Sequence, residues 1–364
     1  MKEVCFWSLS NDIYDGKGMK MRQCLSYDDV LLAPQHSEIR SRREICIRSS
    51  LDQDLSFDLP IISSPMDTVS GAEMCVSMAS VGGLGIIHRY NSIEDQVDIV
   101  RKIKEALEKH GSTPIAAAVG VSDDYLERAS ELYSHGVRVF CLDVAHGHHV
   151  LMKEALEAIK SRFTDIHLMA GNVATKEAFE DLACWGANSI RVGIGGGSIC
   201  STRIQTGHGI PTLQSIIDCA DADVRWEVSM IADGGIRTSG DIVKALAAGA
   251  NFVMLGSLLA GTSQTPGNIM TGASGKKYKA YRGMASKEAQ YDWRGRHSSN
   301  EGISTTVPYR GSVVEILSDL VGGIKSGLSY SGAKDIYELQ AKSEFILQTG
   351  AGRAESGTHI LGRK

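Results

Sequence analysis

From residue 59 onward, short runs of apolar residues alternate with longer segments in which apolar positions recur every three or four. The runs cover 59–66, 83–88, 114–120, 137–145, 166–173, 189–194, 228–236 and 252–257, and glycine or short polar residues gather where they end. Continuous apolar runs separated by helical patterns predict parallel strands buried on both faces. Between 91 and 110 the apolar residues Ile93, Val97, Val100, Ile103 and Leu107 fall on one helical stripe. Asn91 and Ser92 offer N-caps there, with Glu94 and Asp95 in the first turn. Segments 121–135, 153–163, 176–185 and 239–248 read the same way, the last with Gly249 as its C-cap. Eight such units predict a closed α/β barrel, a (β/α)8 or TIM barrel forming one domain, in preference to a doubly wound open sheet. No Gly-x-Gly-x-x-Gly followed by an acidic residue makes a convincing dinucleotide fingerprint.

The flanks are less regular. Residues 1–30 are polar, and 26–34 form a short segment whose apolar residues anchor it over one end of the barrel. Residues 40–55 are charged and predict a hairpin. After the eighth strand, 272–302 is polar, rich in Gly, Ser, Lys and Arg and nearly aperiodic, as expected of a lid or flap. Segments 313–326 and 333–342 predict closing helices, and 349–364 is a polar tail.

Composition narrows the function class. The chain has 364 residues, 43% hydrophobic and 22% charged, with a net charge of -5. That balance argues against nucleic acid or a membrane surface as partner. No apolar run approaches the ~20 residues that span a bilayer, and the N-terminus lacks the pattern of a secretory signal. Eight cysteines are scattered without metal-binding spacing. They predict reduced thiols in a cytoplasmic protein, with Cys75 and Cys141 in the core.

In a barrel of this kind the chemistry sits at the C-terminal ends of the strands. Those ends carry Ser64, Asp67, His88, Asp143, His146, Asn172, Asp233, Gly256 and Ser257. The densest stretch follows the sixth strand. There Arg191 and an apolar run pass into Gly195-Gly-Gly197, then Ser198, Cys200, Thr202 and Arg203. Such glycines let a ligand approach the main chain, and their N–H groups can hold an anion such as phosphate. A cysteine beyond that turn stands at the lip of a pocket, where a thiolate could react. Alone, it would read as a buried, inert residue.

Several motifs together carry a resemblance. Ser63-Ser-Pro-Met-Asp-Thr-Val69, Gly171-Asn-Val173, the 195–203 loop, Ala232-Asp-Gly-Gly235, Met254-Leu-Gly-Ser257 and Tyr281-Arg-Gly-Met284 resemble the IMP dehydrogenase / GMP reductase family, in order from about residue 25 to 359. The resemblance implies a (β/α)8 barrel in which Cys200 attacks C2 of a purine nucleotide and a nicotinamide cofactor exchanges a hydride there. It implies that Ser198, Gly235, Gly256 and Ser257 hold the substrate phosphate and Asp233 the ribose. Ser64, Met66, Arg191, Tyr281 and Met284 would complete the substrate site. Asp143, Ala145 and Asn172 would meet the cofactor. A potassium-type cation would rest on the carbonyls of Gly195, Gly197 and Cys200, with Glu355, Ser356 and Gly357 supplied by the next subunit of a homotetramer. A solvated tail is the alternative for those last three, and helix capping is the alternative for Asp143 and Asp233.

The two family reactions share the covalent step and diverge at the flap. The family's dehydrogenases turn IMP into XMP with NAD and activate water with an adjacent Arg-Tyr pair. Between Met284 and Glu301 this chain has no such pair, only Trp293, Arg294 and Arg296. Many dehydrogenases also carry a regulatory insert after the second strand, where this chain has one helical segment. Thr202 and Glu301 match the pair that handles protons in the reductase. Against this, Ser26-Tyr-Asp-Asp-Val-Leu-Leu32, His88-Arg-Tyr90 and the Glu355 tail resemble the dehydrogenase branch. The expectation is therefore a GMP reductase that uses NADPH to convert GMP to IMP and ammonia, with Cys200, Thr202 and Glu301 catalytic. IMP dehydrogenase with NAD is the first alternative. A non-catalytic nucleotide-binding regulator, or an unrelated barrel lyase or flavin oxidase, are minor ones.

Overall fold

The computed structural model describes residues 13–14, 20–108, 113–224, 228–296 and 298–358. Most of the expected irregular start and the last six residues of the expected tail lie outside the described residues. Each of the eight apolar runs contains a strand: β1 Ile61–Ser63, β2 Leu84–Ile87, β3 Ile115–Val119, β4 Val137–Asp143, β5 His167–Val173, β6 Ser189–Val192, β7 Ser229–Asp233 and β8 Phe252–Leu255. They pair in parallel in chain order, and β8 pairs with β1 to close the barrel. The double burial read from the sequence has a simple geometry. Alternate residues such as Ile62, Ile86, Val139, Cys141, Met169 and Ile231 fill the interior. Their neighbours, among them Ile61, Ile87, Phe140, Leu142 and Ala170, pack outward against the helices.

The bottom of the barrel is plugged by Leu51 and Phe57, which join the interior cluster. Phe57 meets Phe252 edge-on, with centroids 5.9 Å apart. Leu51 and Phe57 both belong to a hairpin that pairs Ser49–Ser50 with Ser56–Phe57, Leu51 directly following its first strand. The hairpin expected over 40–55 is thus shifted, and its first part is a 3-10 turn, Arg42–Glu44. Ile45 and Ile47 of the earlier part are also buried, but in the outer core, whereas Leu51 and Phe57 enter the barrel interior. Asp52 on the plug hydrogen-bonds Nδ1 of buried His167, whose Nε2 pairs with Ser189 Oγ at 2.8 Å. Burial pushes the Asp52 carboxyl up, but the His167 contact and two backbone N–H groups prevail and hold it below its ordinary value of 3.8. Its stabilisation is therefore complete above that value and is lost as pH falls through the lower folded value. Asp52→Ala strands a buried donor and is expected to cost about 1–3 kcal/mol at pH 7. The gap to wild type should narrow below pH 4. Urea unfolding across that range checks it, and a gap that does not change with pH would refute the pairing.

The helices are α1 Ala72–Ser80, α2 Ile93–Leu107, α3 Tyr125–Ser134, α4 Val150–Arg162, α5 Lys176–Cys184, α6 Thr202–Thr206, α7 Thr212–Ala220, α8 Ser239–Ala247, α9 Lys287–Arg294, α10 Val313–Tyr330, α11 Ile336–Lys342 and α12 Gly350–Glu355. The sequence reading found α2, α3, α4, α5, α8, α10 and α11 and missed α1, α6, α7, α9 and α12. Neither α1 nor α7 has a side-chain N-cap bond, which removed the start signal. Between β2 and β3, α2 is the element among the described residues, consistent with a missing insert.

The flap is more ordered than expected. Strands β9 Met270–Thr271, β10 Lys277–Arg282 and β11 Ser304–Pro308 form an antiparallel sheet. Helix α9 lies between β10 and β11, capped by Ser286, whose Oγ accepts from Ala289 N–H at 3.3 Å. Only Ala289 and Gln290 are buried on α9, so no periodic stripe marked it. The 26–34 segment lies against α8 and the loop after β7. Lys244 Nζ donates to Tyr27 O at 2.8 Å, and Val30–Leu32 pairs with Phe345–Leu347.

Candidate active site

The register across β4, β5 and β6 places Asp143, Gly171 and Arg191 side by side. They continue the inward-facing sets that begin with Val139, Met169 and Ser189, so they form the top layer of the interior. Gly171 is required there, because a Cβ on it would lie 2.6 Å from the Arg191 Cβ. Across that gap, Arg191 Nη1 donates to Asp143 Oδ1 at 2.5 Å. On its other side Arg191 donates to Asp233 Oδ2 from Nη2 at 2.9 Å and from Nε at 3.2 Å. Asn172 Nδ2 adds a third donor to Asp233 Oδ2 at 2.9 Å and also bonds Gly193 O at 2.8 Å. Among the described residues Asp233 Oδ1 takes no hydrogen bond, which leaves it for a ligand hydroxyl. Gly193 lets the loop after β6 turn beneath Asp233: its φ is +144°, and a Cβ there would sit 1.9 Å from the Asp233 carbonyl oxygen.

Arg191 is thus a shared counter-ion, 7% exposed between carboxylates 13% and 16% exposed. Burial pushes the Asp143 carboxyl up, yet the Arg191 and Arg89 charges and the Arg191 and Tyr90 hydrogen bonds hold it below its ordinary value. Arg89 Nη2 donates to Asp143 O at 3.0 Å and Tyr90 OH to Asp143 Oδ2 at 3.4 Å. Tyr90 meets Trp293 of α9 edge-on at 5.3 Å, with the Arg89 guanidinium over both rings.

Above this layer is a cavity of about 470 Å³, within the range of small-molecule sites. It brings together Ser64, Met66, Asp143, Ala145, Asn172, Arg191, Gly195, Gly197, Ser198, Cys200, Thr202, Asp233, Gly235, Gly256, Ser257, Tyr281, Met284 and Glu301. Glu355, Ser356 and Gly357 are not among its residues. They stand exposed at the end of α12, which bonds Asp28 through Arg353 at 2.6 Å. His88, His146 and Asp67 also do not line it. Asp67 instead supports it, taking two bonds from Arg282 on Oδ2, while Arg282 Nη1 reaches Asp292 on α9 at 2.5 Å.

Cys200 is partly exposed in this cavity, and its Sγ lies 3.1 Å from Thr202 Oγ1. Cys75, Cys141 and Cys219 are buried, and burial pushes each thiol up to about 12, which keeps them inert. The Cys200 loop is tied to the flap in strand fashion. Cys200 bridges Gly302, Ser201 N–H donates to Glu301 O at 2.9 Å and Ile303 N–H to Ile199 O at 3.0 Å. That pairing carries Glu301 to Cys200 and Thr202. At the far end Ser198 Oγ and Tyr281 OH are 3.4 Å apart. Burial raises the Tyr281 phenol, so it stays a neutral donor.

Sequence reasoning missed Arg89, Tyr90, Gln290 and Trp293 as lining residues. Arg89 and Tyr90 directly follow β2, so the strand-end rule could have found them. Trp293 stands out in the sequence only beside Arg294 and Arg296, as what takes the place of an Arg-Tyr pair, and nothing in the aperiodic flap points to Gln290. Arg89 Nε makes no hydrogen bond but lies 3.8 Å from Asp143 Oδ2, whereas Trp293 Nε1 is buried without a hydrogen-bond partner, a donor that suits a polar ligand in that half of the cavity.

Residues 24–359 match the family described as the IMP dehydrogenase / GMP reductase domain. The IMP dehydrogenase of Nitrosopumilus maritimus is 32% identical over 94% of this chain and 99% of its own length. That of Cryptosporidium parvum is 39% identical over 92% and 94%, and the GMP reductase of Leishmania major is 31% identical over 93% and 97%. A cysteine-to-alanine variant of GMP reductase from Trypanosoma brucei, solved with guanosine 5'-monophosphate, superposes with a TM-score of 0.87 at 30% identity, covering 93% of this chain and 98% of that one.

Proposed function

The chain belongs to the IMP dehydrogenase / GMP reductase family of NAD(P)-dependent purine nucleotide oxidoreductases, and within it we propose that this protein is a GMP reductase. The observation that carries the reading is the short flap paired to the Cys200 loop. It pairs the Glu301 backbone with Ser201, in a cavity that Glu301, Cys200 and Thr202 all line, and residues 285–300 contain no adjacent Arg-Tyr pair to activate water. Relatives of both names cover the chain, so dehydrogenase activity on IMP with NAD is the second reading, favoured by the dehydrogenase-like His88-Arg-Tyr90 and Glu355 segments.

In the reductase reading the Cys200 thiolate forms a bond to C2 of GMP. The C2–N bond breaks, and ammonia leaves with a proton passed from Glu301 through Thr202. NADPH, when bound, supplies the hydride that C2 takes up, and the thiolate departs to leave IMP. Ser198, Gly235, Gly256, Ser257 and Tyr281 hold the phosphate, and Asp233 Oδ1 the ribose. Met66 and Met284 pack on the base. Asp143, Ala145 and Asn172 hold the cofactor, helped by Trp293 Nε1, a donor without a hydrogen-bond partner. The neutral carbonyls of Gly195, Gly197 and Cys200 suit a hard monovalent cation such as potassium, completed by Glu355, Ser356 and Gly357 of a second copy in a homotetramer. The seven described cysteines are free, as befits a cytoplasmic enzyme.

The test is a paired assay with and without potassium. GMP with NADPH is expected to consume the reduced cofactor, and Glu301→Gln to slow it by about 10²–10⁴-fold, the usual worth of a general acid. Turnover of IMP with NAD alone would refute the reductase reading.

A further inference from the structure

The flap carries a buried polar side chain that the proposed reaction leaves unused. Gln290 is 5% exposed on α9 and lines the cavity. Its Nε2 donates to the carbonyls of Ala285 and Ser299, both at 2.9 Å. Its Oε1 accepts from Ser298 N–H at 3.0 Å and from Ser298 Oγ at 3.2 Å. Turned over, the amide would set donors against an N–H and its oxygen against two carbonyls, so one orientation satisfies it.

The partners matter more than their number. The Ala285 carbonyl also accepts Glu301 N–H at 3.1 Å. Ser299 leads into Asn300, whose Oδ1 accepts Lys287 N–H at 3.1 Å and whose carbonyl accepts Ser201 Oγ at 3.2 Å. One amide therefore joins the turn before α9, the helix itself and the segment that runs through Glu301 to β11 and pairs with the Cys200 loop. This segment is otherwise polar and rimmed by exposed residues, so water competes for each of its backbone groups.

We infer that Gln290 is a positioning residue, a staple that sets Glu301 against Cys200 and Thr202 and holds the flap down over the covalent adduct. The inference rests on the reductase reading, in which a closed flap favours reduction of the adduct over its hydrolysis. A relay through Thr202 demands sub-ångström placement, and the staple supplies it at the backbone of Glu301.

Gln290→Leu keeps the volume and deletes all four bonds. In the full chain it is expected to lower kcat for GMP-dependent NADPH oxidation about 10- to 100-fold, with KM for GMP within about twofold. Hydrogen exchange at the Ser201, Glu301 and Ile303 amides should speed up without ligand, while the barrel strands stay protected. Gln290→Glu sets a carboxylate against two carbonyls. As pH falls and the carboxyl gains a proton it can donate to one of them, so its activity relative to wild type should rise. Unchanged exchange at Ser201 and Glu301 in Gln290→Leu overturns the staple, as does a loss that spreads over the whole barrel with no acid recovery in Gln290→Glu. Wild-type turnover of IMP with NAD, and not of GMP, sinks the reductase reading alone.

Discussion

Cys200→Ala is expected to abolish turnover, by about 10⁴-fold or more, the scale on which a nucleophile is missed when its supporting groups remain. Nucleotide affinity should change by no more than a few-fold. The reason for the split is geometric. Cys200 bonds Thr202 and bridges Gly302 through its backbone, so removing Sγ leaves the loop paired to the flap. The groups assigned to phosphate and ribose lie on other strands, Ser198 apart, and Ser198 keeps its contact with Tyr281 OH. Calorimetric titration with GMP, beside the NADPH assay, reads the two quantities separately. A variant retaining a few per cent of turnover would exclude covalent catalysis by this thiol. Alkylation gives an independent view. Exposed Cys46 and Cys184 should react at the same rate with or without GMP, whereas GMP should protect Cys200.

Much of this arrangement could be read from the chain. The barrel was legible because burial on both faces leaves unbroken apolar runs, and β1 to β8 fall inside the eight runs. The cavity was legible because a parallel barrel sends all its strand ends to one mouth, so Ser64, Asp143, Asn172, Asp233 and Ser257 had to converge. The flap was not. Helix α9 buries two residues, and the contacts that order it are single polar bonds, such as those of Gln290, which leave no periodic trace. The tail residues Glu355 to Gly357 are not brought to the cavity within one chain. Arg191 was legible as a site residue but not as a counter-ion. That role depends on Gly171 opening the space between two strands.

That counter-ion carries the second large effect. Arg191→Ala leaves Asp143 and Asp233 facing one another, each more than four-fifths buried, with no cation between them. Removing one partner of a buried ionic network costs about 3–5 kcal/mol, because the remaining charges keep their desolvation penalty and lose the attraction that offset it. The pH dependence follows from the sign of the shift. In the wild type Asp143 is held below its ordinary value, so its contribution is complete at neutral pH and is lost only as pH falls through the folded value. In the variant Arg89 alone still offsets the burial of Asp143, so the Asp143 carboxyl moves up and takes a proton at a higher pH than in the wild type. The stability gap to wild type should be widest near pH 7 and shrink towards pH 5. Arg191→Lys should recover only part of it, since one ammonium cannot reproduce a planar fork that serves two acids at once. Urea unfolding of the three proteins at pH 7 and pH 5 measures this. A loss below about 1 kcal/mol at pH 7 would mean that water already screens the pair. The same variant should raise the KM for GMP, because three donors converge on Asp233 Oδ2 and Arg191 supplies two of them. Without them the carboxylate is free to turn, and Oδ1 is no longer aimed at the ribose. The stability of the barrel mouth and the placement of the substrate then rest on one guanidinium, which ties their losses together.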